Sequence, residues 1–173
     1  GAAEFLDEWL ALAKSGSGER GIFNRGGLKK QMPSRRWPIF EPDAAHSGTN
    51  PCGEIILKSK QFCNLTEVIA RPEDTQETLV DKARLAAILG TYQSMLTNFP
   101  YLSPEWKKNC DEERLLGVSI TGQWDSLAVR NSETLRKMKE KAVETNKIYA
   151  ERFGINPSTA VTCVKPSGTV SQL

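Results

Sequence analysis

The sequence has few histidines and cysteines, the residues that bind zinc or form disulfides. It has one histidine, His46, and no Cys-x-x-Cys pair. Its four cysteines are separated by 11, 47 and 53 residues, at Cys52, Cys63, Cys110 and Cys163. Zinc sites need closely spaced ligands, and secreted disulfide scaffolds carry more cysteines for their length. We therefore expect neither, and the simplest interpretation of Cys110 and of Cys163 is a buried, unreactive thiol.

The sequence also lacks an excess of charge and a long apolar run. Its 173 residues include 23 basic and 21 acidic side chains, a balance that does not indicate nucleic-acid binding. Charges or prolines interrupt the apolar stretches after a few residues, and the first residues lack the features of a signal peptide. With 39% apolar and 25% charged residues, the composition is typical of one globular domain. We expect a soluble cytoplasmic protein that contacts no membrane.

The two ends of the chain suggest a piece of a longer protein. Position 1 is glycine rather than methionine, and the chain stops at Leu173 directly after a glycine-containing stretch where a new element is expected to begin. We expect residues 1–173 to form a single segment that is incomplete at both ends.

Apolar periodicity predicts a mixed α/β arrangement. Apolar residues recur at helical spacing in three stretches, at 3–14, 76–98 and 132–153. Short runs typical of strands lie at 54–57, 64–69, 116–120 and 159–164. Strands that alternate with helices of this length are typical of α/β folds with crossover connections.

Residues 15–50 differ from the rest, because they are rich in Gly, Ser, Pro, Arg and Lys and show no clear periodicity. We expect a long irregular segment here. Between positions 20 and 40 it carries six basic residues and no acidic one: Arg20, Arg25, Lys29, Lys30, Arg35 and Arg36. A solvated loop and a site for an anionic partner, such as a nucleotide phosphate, are both compatible with this run.

The stretch from Asn50 to Ile55, with the sequence NPCGEI, carries the residues best suited to chemistry. Proline and glycine on either side of Cys52 predict a sharp turn that projects the thiol. Glu54 follows two residues later, and Asn50 offers an amide that both donates and accepts hydrogen bonds. A thiol, a carboxylate and an amide on one turn are typical of an active site for a hydroxylated substrate, although a loop with an incidental cysteine is the simpler alternative.

Four stretches together resemble the ribonucleotide reductases. They are NPCGEI at 50–55, FCNL at 62–65, LGVSITG at 116–122 and KPSGTVSQL at 165–173. The match covers most of positions 48–173. It is most similar to the adenosylcobalamin-dependent class, and within that class to the monomeric ribonucleoside-triphosphate reductases rather than the dimeric diphosphate enzymes. The resemblance implies that the chain is part of a ten-stranded α/β barrel, with the loop that bears Cys52 inside it.

The resemblance also implies a role for each residue of the motif. Cys52 matches the cysteine that becomes a transient thiyl radical and abstracts the 3′-hydrogen of the ribose. Glu54 matches the base for the 3′-hydroxyl, and Asn50 matches the residue that hydrogen-bonds the sugar. Cys63 matches one of two thiols that deliver reducing equivalents at the 2′ position and end as a disulfide. Such a thiol must be accessible to exchange, so we expect Cys63 to differ from an inert core cysteine.

The family uses the stretch that matches 165–173 to bind the substrate phosphates. The resemblance therefore assigns phosphate binding to five small residues, whose backbone N–H groups suit that role: Ser167, Gly168, Thr169, Val170 and Ser171. Lys165 either adds charge there or is solvated.

The resemblance further implies a cofactor, a reductant and missing parts. The cofactor is adenosylcobalamin, and most of the region that binds it falls outside this chain. The partners are a ribonucleotide, a thioredoxin-type reductant and the remaining parts of the reductase, without which we expect the segment to be inactive. The implied function is reduction of ribonucleotides to deoxyribonucleotides for DNA synthesis. The alternative is a nucleotide- or phosphate-binding α/β protein without turnover, which has no use for two spaced thiols.

Overall fold

The computed structural model of the protein describes residues 1–17 and 21–166. Its helices are α1 Ala2–Ser15, α2 Leu28–Gln31, α3 Trp37–Phe40, α4 Gln76–Gln93, α5 Pro104–Glu113 and α6 Ser132–Phe153. Its strands are β1 Gly48–Thr49, β2 Ile56–Leu57, β3 Asn64–Ile69 and β4 Leu116–Thr121. Short 3₁₀ turns lie at Arg25–Gly27, Glu41–His46 and Ala128–Arg130.

The central sheet is built on the parallel pair β3 and β4. Their register runs from Asn64 opposite Leu116 to Ile69 opposite Thr121. On the other side of β4, Val118 forms a parallel bridge with Thr162. Parallel neighbours need a crossover connection, and the chain between β3 and β4 supplies it with α4 and α5.

The main core lies between this sheet and the helices α4 and α6. It contains the alanines of both helices, which let the helix axes approach closely, and the inward side chains of the strands: Val68, Leu79, Ala83, Ala86, Ala87, Leu116, Val118, Met138, Ala142 and Val161. One buried polar side chain, Asn146, lies beside this core. The buried Asn146 amide donates to Thr91 Oγ1 and to Ser158 Oγ, each at 2.9 Å, and accepts from the Ser158 N–H. This network fastens the chain after α6 to α4.

The predicted elements are found with shifted ends. The strand at Asn64–Ile69 and the helix Ser132–Phe153 lie where the periodicity predicts them. The helix predicted for 76–98 ends at Gln93, because Arg114 Nη1 donates to the Ser94 carbonyl at 2.6 Å and the following turns tighten. The predicted strand 54–57 is reduced to Ile56–Leu57, since Glu54 belongs to a turn.

Two further differences concern the last predicted strand and a helix that periodicity missed. Residues 159–164 run beside β4, but among the described residues only Thr162 forms a regular bridge. Helix α5, Pro104–Glu113, was not predicted because its sequence is mostly charged and polar. It is anchored by buried Cys110 and Glu113.

The segment 15–50, predicted to be irregular, contains several short helical turns around a small core of Leu28, Met32 and Phe40. Arg36, one residue of its basic run, is 3% exposed. Its guanidinium donates to both Glu113 carboxylate oxygens, at 2.7 and 3.2 Å, and to the Ile56 carbonyl at 2.8 Å. For Arg36 both expected roles, solvated cation and phosphate ligand, are therefore wrong, because the side chain joins this segment to α5.

Membrane insertion gains no support from the helices. In the part of the chain that the structure describes, none is both long and apolar enough to cross a bilayer.

Position 122, directly after β4, requires glycine because of its backbone conformation and the close approach of Ala70. Its φ is +78°, and a Cβ there would lie 2.2 Å from the Ala70 carbonyl oxygen. We expect Gly122→Ala to lower the free energy of unfolding by about 2–5 kcal/mol, from backbone strain and overpacking together. The matched control is Gly154→Ala, where φ is +66° but nothing lies within 4 Å of the new Cβ. The control should lose about 1–2 kcal/mol. Equal losses in urea unfolding would show that the Ala70 contact relaxes freely.

Candidate functional site

The NPCGEI stretch forms the turn of a hairpin. β1 and β2 pair antiparallel, with Gly48 opposite Leu57, so that residues 50–55 connect them. The Asn50 N–H donates to the Ile55 carbonyl at 3.2 Å, and the Gly53 N–H donates to the Asn50 carbonyl at 3.0 Å. Gly53 has a φ of +82°, a conformation that favours glycine. Cys52 is exposed on this turn, as its flanking proline and glycine predict.

Asn50 fastens the turn from within. Its Oδ1 accepts from the Ile55 N–H at 3.0 Å, and its Nδ2 donates to Glu54 Oε1 at 2.6 Å. The amide thus uses both of its functions on the turn itself, and the orientation of the Glu54 carboxylate depends on it.

The Glu54 side chain is 4% exposed. Besides Asn50, it has a second partner, the cation of Lys165. Lys165 Nζ lies 2.9 Å from Oε1. Burial works against ionisation of the carboxyl, but hydrogen bonds from Lys165, from the backbone N–H and from Asn50 outweigh it, so the pKa of Glu54 is lowered. Its other oxygen, Oε2, is buried and has no hydrogen-bond partner among the described residues. A buried, ionised carboxylate therefore keeps one oxygen able to accept a hydrogen bond.

Lys165 connects this carboxylate to the thiol at the turn. Its ammonium group hydrogen-bonds Glu54 and also interacts with Cys52, and these contacts raise the pKa of Lys165. From the sequence, this lysine was expected either to add charge at the phosphate stretch or to be solvated. The structure shows that its ammonium group is paired with Glu54. No local pattern links position 165 to position 54, which is why the contact was missed.

Cys63 and Cys163 are both half-buried thiols near the Glu54 carboxylate. Burial, followed by the charge of Glu54, raises the pKa of Cys63. The same two causes, with Cys63 third, raise the pKa of Cys163 to about 12. Both thiols therefore stay protonated at neutral pH. Cys163 differs from the expected buried thiol because it is half-buried and lies close to Glu54, whereas Cys110 is buried and accepts a hydrogen bond from the Phe62 N–H at 3.3 Å.

The register keeps Cys63 and Cys163 from pairing with each other. Cys63 precedes Asn64, which lies opposite Leu116, while Cys163 follows Thr162, which lies opposite Val118. Their positions are about four residues apart along the strands, ~13 Å at ~3.3 Å per residue. A disulfide needs Cα atoms within about 7 Å. This spacing along the strands exceeds that limit, and both cysteines are free thiols in this structure.

A cavity of about 400 Å³ opens beside the hairpin, with Glu54, Ile55 and Cys163 in its wall together with Arg35 and Arg36. Gly117 makes the close packing nearby possible. A Cβ on it would lie 2.4 Å from Leu65 Cδ2 and 3.0 Å from Cys163 Sγ. This glycine was not predicted to be important, although a glycine within a strand pattern is a signal of close backbone approach.

The structure thus brings together Asn50, Cys52 and Glu54 on one turn and places Cys63 within the field of Glu54. The five residues expected to bind phosphate, Ser167, Gly168, Thr169, Val170 and Ser171, lie outside the described residues.

Comparison with known proteins gives a consistent result. No family model matches the chain. Adenosylcobalamin-dependent ribonucleoside-triphosphate reductase from Lactobacillus gasseri is 29% identical over 160 aligned positions, covering 76% of this chain and 21% of the relative. The reductase of the same name from Lacticaseibacillus paracasei is 29% identical and covers 95% of this chain and 26% of the relative. The chain thus spans about a fifth to a quarter of the length of the curated relatives it matches.

A solved structure supports the same likeness. The crystal structure of a B12-dependent (class II) ribonucleotide reductase matches with a TM-score of 0.55 and 27% sequence identity, over 76% of this chain and 22% of that one. The fold expected from the motifs, a partial segment of the α/β barrel of that class, is confirmed. In both sequence and fold, the chain is similar to a segment of the adenosylcobalamin-dependent ribonucleotide reductases, as its motifs predict.

Proposed function

We propose that this chain is a catalytic segment of a reductase that converts ribonucleotides, specifically triphosphates, to 2′-deoxyribonucleotides by a thiyl-radical mechanism. The observation that carries the proposal is the Glu54 carboxylate. It is buried, held through Oε1 by Asn50 and Lys165, and keeps Oε2 without a partner among the described residues, on the turn that presents Cys52. That arrangement suits a base for a substrate hydroxyl beside a reactive sulfur.

The first steps use the turn itself. With an unpaired electron on its sulfur, Cys52 takes the hydrogen atom from C3′ of the ribose, which forms an S–H bond and leaves a carbon radical at C3′. Glu54 Oε2 then accepts the proton of the 3′-hydroxyl. This transfer places negative charge on the 3′ oxygen and helps the neighbouring 2′-hydroxyl to leave as water, with a proton from one of the reducing thiols. Glu54 returns its proton to the 3′ oxygen once C2′ is reduced. Cys52 finally returns its hydrogen atom to C3′ and regains the unpaired electron.

The electrons for the reduction come from thiols. Each turnover replaces a C–OH bond by a C–H bond and needs two electrons and two protons, which two thiols supply as they form one disulfide. Cys63, half-buried and protonated at neutral pH, suits the role of one of them. We propose that the second thiol belongs to parts of the reductase beyond the described residues, and that a thioredoxin-type reductant in the cytoplasm reduces the disulfide again.

Dependence on adenosylcobalamin belongs to this proposal, because the matched relatives carry it in their names. The described residues do not by themselves build a site for it. The main cavities among them measure about 310–530 Å³, far smaller than a corrin macrocycle with its axial groups. Those residues also contain no cluster of three or more His, Cys, Asp or Glu that could hold a metal ion. The cofactor would bind mainly to other parts of the enzyme, and the steps above are those of the chain's own residues.

The substrate phosphates are assigned to the stretch 167–171 on sequence alone. Lys165 and Pro166 lead directly into this stretch from the site. Glu54, acting on the ribose, and the stretch 167–171, binding the phosphates, would then contact neighbouring parts of one nucleotide. A nucleotide-binding module without turnover is not favoured, because it leaves the buried carboxylate and the two thiols without a role.

Cys63→Ser in the complete reductase polypeptide tests the proposal. Radical formation and 3′-hydrogen abstraction remain possible, but reduction at the 2′ position fails, so the substrate should decompose and release free base in place of deoxynucleotide. The measurement follows both products from a ribonucleoside triphosphate. Cys110→Ala is the matched control, because this buried thiol contacts the Phe62 backbone and should leave deoxynucleotide as the product. Normal deoxynucleotide yield from Cys63→Ser would remove Cys63 from the reduction, and a wild-type enzyme that forms no deoxynucleotide would refute the function.

A further inference from the structure

We propose that Lys165 is a positioning residue for the reaction at the hairpin: its ammonium group fixes the Glu54 carboxylate through Oε1 and leaves Oε2 for the substrate hydroxyl. The inference rests on the proposed function and deepens it. Its basis is geometric, since Lys165 Nζ lies 2.9 Å from Oε1 of a carboxylate that is 4% exposed.

The backbone fixes Lys165 where this contact requires it. Its N–H donates to Ser119 Oγ at 2.9 Å, and Ser119 is a buried residue of β4. Two residues earlier, the Cys163 N–H donates to the Val118 carbonyl at 3.1 Å. The lysine is thus attached to the central sheet, whereas Glu54 lies on the hairpin. Their ion pair joins these two parts of the site, and a side chain serving only solubility would not need such anchoring.

Other charged groups around Glu54 do not take the place of Lys165. Arg35, Arg36 and Lys139 line the same cavity. Arg36 is committed to Glu113, and no contact to Glu54 is found for Arg35 or Lys139 among the described residues. The remaining titratable neighbours are thiols: Cys52 on the turn, and Cys63 and Cys163 beside the carboxylate. Within the described part of the chain, Lys165 is the cation that holds this base.

The contact has two consequences for the reaction. The positive charge keeps Glu54 ionised before substrate arrives, since an adjacent cation favours the charged form of a carboxyl. Because Oε1 is occupied by Asn50 and Lys165, the oxygen left to accept a proton is Oε2. Removal of the cation should raise the pKa of Glu54, so that a higher pH is needed to ionise the base.

The experiment compares Lys165→Met with Lys165→Arg in the complete reductase polypeptide, with kcat and KM measured as functions of pH. For Lys165→Met we expect kcat to fall by at least ~10-fold near neutral pH and the acid limb of its pH profile to move up by about 1–3 pH units, while KM stays near that of the wild type. Lys165→Arg should restore part of kcat and move the limb back. Lys147→Met, which removes an exposed lysine of α6, is the control and should change neither quantity.

Two kinetic results would overturn the inference. A rise in KM with unchanged kcat and an unmoved acid limb would show that Lys165 only binds the substrate phosphates. Unchanged kcat and KM would show that the Lys165–Glu54 ion pair does not contribute to catalysis. A direct measurement separates this inference from the proposed function and does not need turnover: titration of the Glu54 carboxyl carbon by NMR should show a higher pKa in Lys165→Met than in the wild type. An equal pKa in both refutes the positioning role, even if the enzyme proves to be a reductase.

Discussion

Replacement of Cys52 by serine is expected to abolish deoxynucleotide formation while substrate affinity stays near that of the wild type. An O–H bond is harder to break homolytically than an S–H bond, so serine cannot carry the radical that starts the reaction. The change removes little else, because Cys52 is exposed on the hairpin turn. The loss should therefore appear in kcat rather than in binding.

The assay follows deoxynucleotide and free base separately. Neither product should exceed background in Cys52→Ser, which distinguishes it from Cys63→Ser, where free base still appears. Cys110→Ala serves again as the control for removal of a thiol. A Cys52→Ser enzyme that still reduces its substrate at a near-normal rate would remove the central residue from this mechanism.

The local placement of these two cysteines was predictable because each lies in a local motif. The turn around Cys52 follows from Pro51 and Gly53, and the strand after Cys63 follows from the alternation in Asn64–Ile69. The helix Ser132–Phe153 was likewise predictable from its apolar periodicity and from Gly154, whose left-handed conformation ends it. In all these places, neighbours in sequence provide the physical reason for the structure.

The parts that could not be predicted depend on contacts between distant residues. Helix α5 has little apolar periodicity and is held through Glu113, which pairs with Arg36 from the segment expected to be irregular. The early end of α4 depends on a hydrogen bond from Arg114. Lys165 reaches Glu54 only because the chain after α6 returns to lie beside β4. Sequence patterns report local preference, and these interactions are tertiary.

Glu54→Gln is expected to slow the loss of the 2′-hydroxyl by about 10²–10⁴-fold, the usual contribution of a general base. Glutamine is nearly the same size as glutamate, and its carbonyl can still accept the hydrogen bond from Asn50, so the turn should persist. It cannot take up the proton of the 3′-hydroxyl. It also leaves Lys165 without an anionic partner, which adds to the loss.

The pH dependence makes the assignment of the base specific. Hydrogen bonds from Lys165 and Asn50 lower the pKa of Glu54 against the opposing effect of burial, so the wild-type carboxylate is ionised at neutral pH. Its kcat should fall only as the pH drops through that lowered pKa. In Glu54→Gln the residual rate should lose this acid limb, whereas Glu54→Asp, which keeps a carboxylate on a shorter side chain, should retain it at a reduced rate. A Glu54→Gln enzyme with an unchanged acid limb would assign the titrating base to another residue.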